Sequence, residues 1–117
     1  MAVHLDDRVW QPASLPAQTG RTAYRVVQEA LTNAHKHAPG ASVSVQLSGS
    51  AGGQLEVLVR NRRAVGTALA PGLPGAGLGL VSMRERVELT GGVLDLGEDR
   101  DGFLVHARLP WPAVDKD

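Results

Sequence analysis

The chain has 117 residues, 12 basic against 12 acidic side chains, no cysteine and 43% hydrophobic residues, which fits one compact domain over residues 1–117. Zero formal net charge leaves no overall field for holding nucleic-acid phosphates, so direct nucleic-acid binding is not expected, and disulfides and thiolate metal sites are impossible. No apolar run approaches the roughly 20 residues that cross a bilayer and the N-terminus lacks a secretory pattern, so a soluble, cytoplasmic domain is expected.

Only Trp10, Tyr24, Phe103 and Trp111 are aromatic and isoleucine is absent, so Ala, Val and Leu must build the core. Residues 2–5 are strand-like, and Pro12 and Pro16 deny a long helix before residue 18, which predicts an edge strand followed by a loop. From residue 19 to 38, Ala23, Val26, Val27, Ala30, Leu31 and Ala34 recur at helical spacing, and Pro39-Gly40 supplies the stop. Val43, Val45 and Leu47, then Leu55, Val57 and Val59, alternate as two strands joined by a turn over residues 48–53.

Residues 62–77 carry Gly66, Pro71, Gly72, Pro74, Gly75 and Gly77 without a period and read as a lid. Leu80, Met83, Val87 and Thr90 predict a second helix closed by Gly91-Gly92, and residues 93–96 and 103–109 a last hairpin turning at 99–102. Strand, helix, two strands, lid, helix, two strands predicts one mixed or antiparallel sheet with its helices packed on one face. Trp10 and Trp111 are expected to pack at the chain ends.

On the first helix Arg25, Glu29, Asn33 and Lys36 form a stripe beside the apolar face. Asn is a mediocre helix former best used at caps, so stability does not ask for Asn33 well inside the helix, next to its buried border. A carboxylate, an amide oxygen and an ammonium spaced i, i+4 and i+7 can hold a base, a metal and a phosphate, and the competing reading is a solvated face. Gly75-Ala76-Gly77-Leu78-Gly79-Leu80 leads into the second helix, where glycines admit close backbone approach and a helix start attracts phosphate. Together the two segments describe a nucleotide and magnesium site without the lysine of a P-loop.

Ala23-Tyr24-Arg25-Val26-Val27-Gln28-Glu29-Ala30-Leu31-Thr32-Asn33, followed by Lys36-His37-Ala38, resembles the N-box of two-component sensor histidine kinases. Gly77-Leu78-Gly79-Leu80 with Met83-Arg84-Glu85-Arg86-Val87 and Gly91-Gly92 resembles the G2 box and following helix of the subfamily that partners NarL-type response regulators. The resemblance covers residues 5–112. It implies an α+β, two-layer sandwich of the Bergerat ATPase type, with a mixed sheet, helices on one face and a mobile lid over ATP. It further implies that Asn33 coordinates Mg²⁺, Lys36 neutralises phosphate, Glu29 lines the reacting end, and Gly75, Gly77 and Gly79 shape the phosphate loop. His37, Leu78 and Leu80 complete the nucleotide-binding set.

Two departures stand out. Where the family's G1 box offers an Asp for the adenine amino group and then a Gly, this chain has Asn61 and Arg63, and a neutral amide is the weaker acceptor. The family's phosphoacceptor histidine is followed by an acidic residue on a preceding helical hairpin. None of His4, His35, His37 and His106 fits, so the acceptor hairpin, the response regulator it serves and any inner-membrane anchor lie outside this sequence. The alternatives are an anti-sigma-factor serine kinase of the same fold and a degenerate binding module.

Overall fold

A computed structural model describes residues 3–37, 40, 42–62, 76–99 and 102–113, with the side chains of 37, 76–80, 98 and 99 left aside. The elements are β1 (Val3–Val9), α1 (Ala17–His37), β2 (Val43–Gly49), β3 (Gln54–Arg62), α2 (Ala76–Leu89), β4 (Val93–Asp99) and β5 (Gly102–Pro110). One five-stranded sheet has the order β1-β2-β3-β5-β4. β1 runs parallel to β2 and every other pair is antiparallel, so the sheet is mixed, as the sequence allows.

The alternation seen in the sequence decides which face is buried. Val43 and Val45, Leu55, Val57 and Val59, Val105, Ala107 and Leu109, and Leu94 all point to one side and are almost fully shielded. α1 lays Ala23, Val26, Ala30 and Ala34 on that side over β2, β3 and β5, and α2 adds Met83 and Val87 over β4 and β5. Three alanines on α1 let the helix approach the sheet closely. Val27 and Leu31, expected in the buried face, are only half-buried, because the helix is rolled toward Val26 and Ala30.

Several boundaries differ from expectation. β1 continues through Asp6-Asp7-Arg8 to Val9, because backbone pairing with β2 does not need an apolar side chain at a solvated edge. Its open edge is blunted by its own side chains. Trp10 N–H bonds to Gly49 O at 2.9 Å, so the preceding Val9 N–H points off the edge, where Asp7 Oδ1 accepts it at 3.1 Å. A 3-10 turn at Pro12–Ser14 follows, and α1 begins at Ala17 directly after Pro16. Trp10 is 68% exposed and does not pack, whereas Trp111 is 1% exposed.

The turn expected at 48–53 shortens to residues 50–53, closed by Gly53 N–H on Ser50 O at 3.2 Å. Both strands of the last hairpin are longer than expected, pairing out to Asp99 and Gly102. Arg62 belongs to β3, and Ala76 and Gly77 belong to α2, so both ends of the expected lid are regular structure; residues 63–75 lie outside the described residues. α2 ends as the sequence predicts: Gly91 takes φ 84°, Gly92 N–H returns to Val87 O at 3.1 Å, and Thr90 Oγ1 donates to the same carbonyl at 2.7 Å. Among the described residues no helix is long and apolar enough to cross a membrane.

Candidate functional site

Strand directions bring the motifs to one end of the sheet. β2 starts and β3 ends together, with Val43 opposite Asn61. α1 ends at His37, a short connection before Val43, so its last turns lie at that end. β4 starts at the other end, opposite Arg108, and only residues 90–92 separate it from α2, so α2 runs back antiparallel to β4 and begins near the Asn61 end. The two helices are therefore antiparallel to each other.

Their mutual register is visible in the groove between them, where Arg25, Val26 and Glu29 of α1 face Ser82, Met83 and Arg86 of α2. One turn further along that register, Asn33 stands level with residues 77–80, the first turns of α2. The amides at that helix start lack intrahelical partners, which is the requirement for cradling phosphate.

Asn33 is half-buried and its side chain makes no hydrogen bond among the described residues. Glu29, one turn back, is half-buried and likewise makes no ion pair or side-chain hydrogen bond among the described residues, and Lys36 is exposed on the same border. Asn61 is half-buried at the penultimate position of β3, paired across to Val43 and Phe103. Gly75 and the side chains of His37, Leu78 and Leu80 lie outside what is described, and Gly77 and Gly79 lie in α2.

The oxygens of Asn33 and Glu29 are hard donors, the kind Mg²⁺ takes while keeping several waters and drawing the rest of its shell from phosphate. Among the described residues no cluster of three His, Cys, Asp or Glu side chains could hold a metal by itself. The donor set thus fits an ion that arrives with a nucleotide.

Sequence reasoning missed Ser82, which shares the groove with Glu29. Its spacing from Arg86, i to i+4 beside the buried pair Met83 and Val87, is the signal that places both on the border facing α1. The stripe of Arg25, Glu29, Asn33 and Lys36 is not a uniformly solvated face, since Glu29 and Asn33 are half-buried.

Residues 18–113 match the model of the histidine kinase-, DNA gyrase B-, and HSP90-like ATPases. Sensor histidine kinase LnrJ of Bacillus subtilis is 34% identical over 82% of this chain and 23% of its own length. Signal transduction histidine-protein kinase/phosphatase UhpB of Salmonella typhimurium is 39% identical over 80% of this chain and 18% of its own. The chain therefore spans about a fifth of these curated relatives. Among solved structures, the blue-light activated histidine kinase of Erythrobacter litoralis superposes with a TM-score of 0.70 and 25% identity over 93% of this chain and 37% of that one. The fold expected from the resemblance is the fold observed, and the relatives favour the histidine-kinase reading over the serine-kinase alternative. The chain belongs to the histidine kinase-, DNA gyrase B-, and HSP90-like ATPase family and is an ATPase domain of the sensor-histidine-kinase kind.

Proposed function

We propose that this domain holds Mg-ATP at the Asn33 and Asn61 end of the sheet and presents its terminal phosphoryl group to a histidine on the dimerisation hairpin of its parent kinase. The observation that carries the reading is the convergence there of the Asn33 amide, which bonds to no side chain or backbone group among the described residues, the end of β3 and the start of α2. In this reading Asn61 accepts the adenine amino group, and the backbone of residues 75–80 surrounds the phosphates with His37, Leu78 and Leu80 at its margin. Lys36 offsets phosphate charge. Asn33, with Glu29 behind it, holds the magnesium that neutralises charge on the phosphates when bound. Phosphoryl transfer depends mostly on positioning and charge neutralisation, so such a small set is adequate once an acceptor arrives.

A NarL-type response regulator is the downstream partner we infer, receiving phosphate through the hairpin. The domain works in the cytoplasm, and any inner-membrane anchor belongs to other parts of the parent kinase. The motif Met83-Arg84-Glu85-Arg86 supports this assignment.

Calorimetric titration with a non-hydrolysable ATP analogue, with and without Mg²⁺, tests the reading, followed by incubation with ATP and a supplied acceptor hairpin. Magnesium-dependent binding, weaker binding of GTP, and phosphate on the hairpin histidine but not on this chain are expected. Phosphate on a serine of an added partner overturns the histidine assignment. No binding at millimolar nucleotide replaces it with a degenerate binding module.

A further inference from the structure

β1 is an edge strand of the sheet, and no described residue pairs with its outer margin. Because Trp10 N–H bonds to Gly49 O, the even-numbered residues of the strand turn their N–H and C=O groups toward β2, and Val3, Leu5, Asp7 and Val9 turn theirs away. Asp7 Oδ1 takes the Val9 N–H at 3.1 Å, which closes the margin only at that residue. The open stretch is therefore residues 3–7, with Leu5 at its centre. The same stretch carries apolar surface. Val3 and Leu5 lie on the helix side of the sheet, in register with the buried Val43 and Val45. α1 lies over β2, β3 and β5 and does not shield them, so they remain 47% and 65% exposed. Open backbone groups and exposed aliphatic side chains on one edge are a template for another strand.

The sequence of β1 identifies a strand that fits. A second copy related by a two-fold axis normal to the sheet runs antiparallel to the first, and its contacts are self-complementary. With the axis at Leu5, Leu5 faces Leu5 of the second copy and Val3 faces Asp7 of the second copy, each pair exchanging both backbone hydrogen bonds. That register uses every open group of residues 3–7 and leaves the bond between Asp7 and Val9 intact. On the other face of the sheet His4 stands against Asp6 of the second copy, an N–H donor against a carboxylate. Moving the axis to Asp6 or Asp7 sets like charges opposite each other, and moving it to His4 leaves Asp7 facing residue 1, beyond the strand.

We propose that the β1 edge is a self-recognition surface on which a second copy of this chain pairs antiparallel about Leu5, joining the two sheets into one and covering Val3 and Leu5 of both copies. The surface stands on β1 alone and does not depend on nucleotide at Asn33. Pairing over residues 3–7 makes a contact smaller than the roughly 1,200 Å² of standard interfaces, so the association is weak and reversible, with an expected dissociation constant of about 0.1–1 mM.

Sedimentation equilibrium of the full chain, from about 0.01 to 2 mM, measures the association, and NMR of a sample mixing isotope-labelled and unlabelled protein locates it. A reversible dimer is expected, with an intermolecular contact between the α-protons of His4 and Asp6 of the second copy, which form the close, non-hydrogen-bonded pair of this register. Leu5→Lys sets two ammonium groups on the axis and is expected to weaken the dimer by about tenfold or more. Leu5 is 65% exposed, so the variant keeps the monomer fold, which its amide spectrum checks. His4→Asp sets carboxylates against each other and weakens the dimer as well, and adding Asp6→His to it restores the opposite pairing and recovers association. A chain that stays monomeric at the highest concentration leaves the edge to a strand of another protein and overturns the proposal. A dimer that Leu5→Lys does not weaken, or α-proton contacts that follow another register, overturn it too.

Discussion

A Cβ on Gly102 would lie 1.8 Å from the backbone carbonyl oxygen of Asn61, so the absence of a side chain at the start of β5 fixes how closely that strand approaches the end of β3. Gly102 also holds φ +152°, where an L side chain is strained. The position of Asn61, which we propose accepts the adenine amino group, thus depends on a glycine of the neighbouring strand.

Gly102→Ala is expected to part β3 and β5 at this end and to destabilise the domain by about 1–3 kcal/mol. Urea unfolding measures the loss. Nucleotide affinity falls with it, and an unchanged unfolding midpoint would show that the strands give way freely.

Asn33→Ala separates function from stability by sign. Alanine is the better helix former by up to about 0.7 kcal/mol, and the Asn33 side chain bonds to no described residue, so thermal stability is expected to hold or rise. Binding of the magnesium-loaded ATP analogue is expected to disappear in the same protein. Parallel melting and calorimetry check both halves.

Asn61→Asp restores a charged acceptor at the end of β3. Hydrogen bonds to an ionised group are roughly twice as strong as neutral ones, and a carboxylate cannot turn a donor toward the base as an amide can. Tighter ATP analogue binding, by about threefold to tenfold, and a sharper preference for ATP over GTP are expected in competition titrations. Equal affinity in both forms would mean that Asn61 does not contact the base.

Trp111 closes the fold after β5. Its backbone N–H donates to Gly53 O at 3.1 Å, its carbonyl accepts from Gly52 N–H at 2.8 Å, and its side chain is 1% exposed. The indole N–H is nevertheless buried with no acceptor among the described residues. Trp111→Ala is expected to cost about 3–5 kcal/mol through the cavity it leaves. In Trp111→Phe, relief of the unsatisfied donor offsets much of the lost packing, giving a change within about 1.5 kcal/mol. Chemical denaturation of the pair checks the contrast.

The sequence by itself determined the family, the element order and the inward face of each strand, because period-two alternation in Val43, Val45, Leu55, Val57 and Val59 and helical spacing in Val26, Ala30 and Ala34 are local properties of the chain. It also marked Asn33 as a residue that helix stability does not explain. Strand limits at Val9, Asp99 and Gly102 were not legible, since backbone pairing with a neighbour extends strands through polar residues and no local pattern records that neighbour. Trp10 and Trp111 are alike as sequence, and only the docking of Trp111 against the β2–β3 turn makes one buried and the other exposed. The facing of Arg25 and Glu29 by Ser82 and Arg86 likewise required two helices to be laid antiparallel on one sheet. Which polar groups share a space is decided by how distant segments pack, and no spacing within either helix contains that information.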